Sequence, residues 1–96
     1  MRIELSSFIE SDLEEIADYI ALDNPGRALS FIHEMRAKFR LIAQNPMLYR
    51  LRPEIGEEAR LAVMGNYVIL FHIVGRVVRI ERVVYGGRDL ADLLSE

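Results

Sequence analysis

Six side chains able to do chemistry are Arg60, Arg79, Arg82, Tyr85, Arg88 and Asp89, and four of them fall in the stretch RVVYGGRDL of residues 82–90. Arginines present a planar fork of donors that suits a carboxylate or a phosphate. A tyrosine has an ordinary pKa near 10 and serves as a general base only where its surroundings lower that value. Gly86-Gly87 lets the chain turn sharply after Tyr85 and could bring Arg88 beside it. Two roles are therefore open. The group is a functional site, or Tyr85 caps the edge of a sheet and Arg88 pairs with Asp89 or with an acid of the first helix. Taken by themselves, the residues favour the second role.

Other chemistries lack their residues. The chain has no cysteine, so it has no disulfide, thiol nucleophile or cysteine metal site. His33 and His72 have no carboxylate or histidine at ligand spacing, so no metal is expected, and His72 reads as a partly buried sheet histidine. Asp12, Glu14, Glu15 and Asp18 read as the solvated face of a helix. Gly86-Gly87 lacks the lysine and helix of a phosphate loop, no serine elbow is present, and no cofactor is implied. The net charge of −3 disfavours broad nucleic-acid binding but permits a local basic patch. That charge is unevenly spread: residues 1–35 carry two arginines against eight acids, and residues 36–96 carry ten basic groups against seven acids. The first residues, MRIELSSFIESDLEE, turn acidic where a signal peptide would be apolar. No apolar run nears the ~20 residues of a membrane span. The expectation is a cytoplasmic protein that does not engage membranes.

The elements that must position these residues follow from periodicity. Arg2–Leu5 alternates as a short strand. Ile9, Leu13, Ile16, Ala17 and Ile20 form one helical stripe, predicting a helix over Ser7–Leu22. Ser6, Ser7 and Ser11 are its candidate caps, and Ser7 and Ser11 each have a glutamate three residues on. Asn24-Pro25 caps and opens a second helix carrying Ala28, Phe31, Ile32, Met35, Phe39 and Ile42, which ends near Gln44-Asn45-Pro46. The short link makes the pair an antiparallel hairpin. After an irregular stretch, strands are expected over Ala59–Val63, Tyr67–Val74 and Val77–Tyr85, with turns at Gly65-Asn66 and Gly75-Arg76. Tyr67–Val74 is apolar on both faces and reads as a covered central strand. Leu90, Leu93 and Leu94 imply a short terminal helix or tail. The order β-α-α-β-β-β predicts one α+β domain over residues 1–96, a helical hairpin on one face of an antiparallel sheet whose other face is partly open.

Three stretches, DLEEIADYIALDNPGRA (12–28), NPMLYRLRPEI (45–55) and GNYVILFHIVGRVVRIERVVYGGRDLADLL (65–94), together resemble the RelE/ParE superfamily of toxins from bacterial toxin–antitoxin systems, and more closely its ParE branch. The resemblance implies the same helical hairpin on a sheet. It implies one of two activities: ribosome-dependent cleavage of mRNA in RelE-like members, or inhibition of DNA gyrase by binding in ParE-like members. The cationic site of the ribonuclease members is largely missing here. Their lysines on the first strand of the three-strand run would fall near Ala59 and Leu61, the arginine after the next strand's opening tyrosine becomes Val68, and only Arg88 matches. Electrostatic stabilisation usually supplies the largest catalytic term, so this loss argues against RNA cleavage.

The resemblance thus implies a toxin that inhibits DNA gyrase and is neutralised by a ParD-like antitoxin. Arg60, Arg82, Tyr85, Arg88 and Asp89 are its candidate target-binding residues. Ile16, Tyr19, Ile20, Phe31, Met35 and Phe39 are candidates for antitoxin contact. Were the chain a ribonuclease instead, Tyr85 and Arg88 would be the catalytic candidates. A third alternative is a non-toxic module that only binds an antitoxin.

Overall fold

Asn24 receives the main-chain N–H of Arg27 at 3.0 Å and, with Pro25 behind it, starts the longer of two helices. The computed structural model describes residues 1–87. Its elements are β1 (Arg2–Leu5), α1 (Ile9–Ala21), α2 (Pro25–Gln44), a 3-10 turn at Pro46–Leu48, β2 (Arg60–Met64), β3 (Tyr67–Val74) and β4 (Val77–Tyr85). β3, β4 and both glycine turns stand at their expected positions. Gly65 and Gly75 take φ of +59° and +61° at the first turn position, where a side chain would be strained.

The start of α1 differs from expectation. Neither Ser7 nor Ser11 caps it; Phe8 occupies the N-cap with no side-chain hydrogen bond, and the helix starts at Ile9. Ser6 does the local work instead. Its hydroxyl accepts from the Phe8 N–H at 3.2 Å and donates to the Glu81 carbonyl at 2.6 Å. A capping box satisfies only the helix, whereas Ser6 also ties the helix start to the sheet.

The sheet order is β1-β4-β3-β2. The β2–β3 and β3–β4 pairs are antiparallel, as expected, but β1 joins β4 in parallel, which makes the sheet mixed. The helical hairpin carries the chain away from β1, and the meander returns β4 to its side. A parallel pair needs such a long crossover.

One apolar core fills the space between hairpin and sheet. Ile9, Leu13, Phe31, Met35, Phe39 and Ile42 from the helices meet Ile69, Phe71, Val78, Ile80 and Val83 from the strands. On the opposite face, Ile55 and Ala59 cover Leu70, while Val63 and Val74 stay exposed. That face is partly open, and the cover over Leu70 from the stretch before β2 matches β3's two-sided apolar sequence.

Met35 is fully buried at the centre of this core. Met35→Ala is expected to cost about 2–5 kcal/mol of unfolding free energy, read as a fall in the denaturant midpoint with an unchanged slope.

Candidate functional site

Asp12 on α1 is only 5 % exposed. Its Oδ1 accepts from Arg82 Nη2 at 2.9 Å, and its Oδ2 accepts from Arg82 Nε at 2.9 Å and from the Val83 main-chain N–H at 3.0 Å. The face expected to be wholly solvated therefore holds one structural carboxylate. The signal was present in the spacing: Asp12 stands three residues after Ile9 and four before Ile16, within the buried stripe. The Arg82 guanidinium also lies 4.7 Å from the centre of the Phe8 ring.

This contact sits on an irregularity of β4. Phe71 pairs with Ile80 and Leu70 with Arg82, so Glu81 is an extra residue, a β-bulge. β1 pairs only with Val77–Ile80, leaving the end of β4 with β3 on one side alone. Ser6 covers the Ile80 and Glu81 carbonyls, and Asp12 covers the Val83 N–H. Buried main-chain groups are thereby satisfied where the neighbouring strand stops.

Beyond the bulge a groove of about 480 Å³ opens between α1 and the end of β4. Ile16, Tyr67, Val83 and Val84 line it, with Tyr19 and Tyr85 among its walls. Tyr19 is 70 % exposed and Tyr85 59 %. Tyr85 packs edge-on against Tyr67 at 6.3 Å between ring centres, and Tyr67 does the same against Phe31 at 5.2 Å. The Gly86 N–H donates to the Asn66 carbonyl at 2.9 Å, holding the chain just after Tyr85 to the β2–β3 turn. The ionisable groups lining the groove besides its tyrosines are Asp12 and Glu15.

The other sequence candidates are dispersed. Arg60 donates to the Tyr49 carbonyl and lies 3.4 Å from Met47 Sδ, so it braces the stretch before β2, away from the groove. Arg79 pairs with Glu4 and Glu81, and the charge of Glu81 is the chief reason its pKa is raised. A hydrogen bond from Arg52 lowers the pKa of Glu54. His72 Nδ1 stands 3.6 Å from Glu81 Oε1, a proximity that the bulged register hides from the sequence. Ile16 and Ile20 are half-buried beside exposed Tyr19. Phe31, Met35 and Phe39 are core residues with at most 3 % exposure, turned to the sheet and out of a partner's reach. Their stripe is the one that folds the hairpin onto the sheet, so it has no second surface to give. Arg88, Asp89 and the expected C-terminal helix or tail lie outside the described residues. Among the described residues no group of three potential metal ligands occurs, and no helix is long and apolar enough to cross a membrane.

A family model described as the ParE toxin of the type II toxin–antitoxin system parDE matches residues 3–90. The chain belongs to the ParE toxin family. The fold agrees with that membership. A solved structure described as the chromosomal ParDE toxin–antitoxin system from P. aeruginosa superposes with a TM-score of 0.76 at 20 % identity, over 88 % of this chain and 95 % of that one. No curated protein matches the chain. In this ParE-family toxin the family match takes in the Asp12–Arg82 contact and the groove beside it.

Removing one partner of a buried ion pair leaves an uncompensated charge. Asp12→Ala is therefore expected to cost about 3–5 kcal/mol. The double variant Asp12→Leu/Arg82→Met should be markedly more stable than Asp12→Ala alone. Equilibrium denaturation of the three proteins checks both statements.

Proposed function

We propose that this toxin acts by binding DNA gyrase and stabilising its cleaved-DNA state, and that a ParD-like antitoxin neutralises it. The carrying observation is the make-up of the groove at Tyr85: aromatic and apolar walls with two acids, Asp12 and Glu15. Such a lining fits a protein surface and, with Asp12 paired to Arg82 and no lysine or arginine among the lining residues, offers a phosphodiester no cation. The positions at which the ribonuclease branch would place cations support the same reading. Ala59 and Val68 are buried, and Leu61 packs against them or their neighbours. The guanidinium of Arg82 is committed to Asp12, and that of Arg60 to Tyr49. Catalysis of phosphoryl transfer needs cations preorganised around the developing charge, and this lining offers apolar contact instead.

On this reading Tyr85, with Arg88 and Asp89 close after it in the sequence, supplies target contact rather than acid–base chemistry. Exposed tyrosines are frequent anchors of protein interfaces. The antitoxin covers the exposed flank of α1 around Ile16, Tyr19 and Ile20. The toxin works in the cytoplasm, where its target resides.

The test is a gyrase supercoiling and cleavage assay with the purified chain. Loss of supercoiling with trapped cleaved DNA, reversed by antitoxin, is the expected result. Tyr85→Ala/Arg88→Ala should abolish inhibition while the protein remains folded. An unaffected gyrase at excess toxin, together with cleavage of ribosome-bound mRNA, would replace this reading with the ribonuclease one.

A further inference from the structure

The two ends of β3 carry surfaces of opposite charge. Tyr67 pairs with Tyr85 at one end, beside the groove, and Val74 pairs with Val77 at the other. At this second end Arg2 lies opposite Val77, and the N-terminal amine donates to the Ala43 carbonyl of α2 at 2.8 Å. A hollow of about 390 Å³ opens there, lined by Met47, Leu51, Ile73 and Gly75 with Arg60 and Glu58. Met47, Leu48, Leu51 and Val74 are all exposed. Large apolar side chains gathered in this way mark an interaction surface. Arg50 precedes Leu51 and Arg76 follows Gly75. Arg2, Arg50 and Arg76 are exposed, and none of the three has an ion pair among the described residues.

The groove end has the other sign. Glu15 lines the groove, and Asp18 stands one turn further along α1, next to Tyr19. Both acids are exposed and have no ion pair among the described residues. The basic end is a poor match for a copy of itself, because a two-fold contact would set arginine against arginine. Its match is an apolar surface bearing carboxylates, and this chain carries one at its far end.

We infer that copies of this chain dock head to tail, the basic apolar end of one seated in the acidic groove of the next. Met47, Leu48 and Leu51 of one copy fill the groove over Ile16, Tyr67 and Val83 of its neighbour, and Arg50 and Arg76 meet Glu15 and Asp18. Charge complementarity of this type steers association and makes it salt-sensitive. The two surfaces differ, so each added copy offers a further free end and association grows with concentration. The contact covers Tyr85. On the proposed target reading a seated copy therefore withholds that tyrosine from the target; this consequence rests on that reading, and the docking does not.

The experiment is sedimentation velocity of the full chain over roughly a hundredfold range of concentration, at low salt and at roughly 0.5 M salt. At low salt the wild type should grow past the mass of two copies as its concentration rises, and high salt should reverse this. Arg50→Glu/Arg76→Glu and Glu15→Arg/Asp18→Arg alter exposed positions only, with circular dichroism as the check on folding. Each variant alone is expected to associate at least roughly tenfold more weakly. An equimolar mixture of the two should associate again, since each supplies the charge that the other has lost. Tetranitromethane should nitrate Tyr85 more slowly in the associated wild type than in the dilute monomer. A wild type that stays monomeric throughout, association unchanged in either variant, a mixture that stays monomeric, or a Tyr85 equally reactive in both states overturns head-to-tail docking. A monomer without effect on gyrase would overturn the proposed target and leave the docking standing.

Discussion

The carboxylate of Asp12 is the contact on which the groove end of this protein depends. It joins α1 to β4 where β1 has ended and where a bulge has broken the ladder with β3. Ser6 braces the two carbonyls just before it, so residues 80–83 are held from one side by a serine and an aspartate in place of a strand. Burying an ion pair gains little net stability, because desolvation offsets most of the attraction. Its effect here is geometric. Two bonds to a planar guanidinium and one to the main chain leave α1 little freedom to slide or rotate against β4, and that relation sets the width of the groove.

The core explains why the groove lies at this edge. Both helices turn their apolar stripes to the sheet, and Phe71, Ile69 and Ile80 meet them from the other side. The hairpin is thereby left with a polar, largely acidic outer surface on α1. β3 is covered on its second face by the stretch that carries Ile55 and Ala59. An apolar concavity survives where α1 ends beside a strand that outruns its neighbour. Tyr19 and Tyr85 are exposed there because no further element of the described chain reaches them.

Much of this architecture was readable from the sequence, for local reasons. Gly65 and Gly75 sit where only glycine accepts the backbone without strain, and they delimit β3. Asn24-Pro25 is a start signal whose hydrogen bond forms as expected. What escaped the sequence depends on non-local contact. The parallel seating of β1 follows from where the meander returns. The role of Asp12 requires Arg82, seventy residues away in the chain, to be its neighbour. Phe31, Met35 and Phe39 were candidates for a partner and for the core alike, because an amphipathic stripe is the same pattern in both cases. The sheet claims it first, since an unburied stripe would leave the hairpin without a reason to fold.

The same fold can present a cationic catalytic site or an apolar binding one, so the fold leaves function open and the surface decides it. Here the charge is unevenly placed. The N-terminal 35 residues carry a net −6, and most of that charge lies on the helix bordering the groove. At least four of the ten basic groups of the later residues are engaged within the chain: Arg82 on Asp12, Arg79 on Glu4 and Glu81, Arg60 on Tyr49, Arg52 on Glu54. Beside Tyr85 the groove lining holds exposed Glu15 and no lysine or arginine. Of the arginines that looked in the sequence like a site, Arg60, Arg79 and Arg82 hold parts of the fold together, and what borders Tyr85 among the described residues is mostly apolar and aromatic.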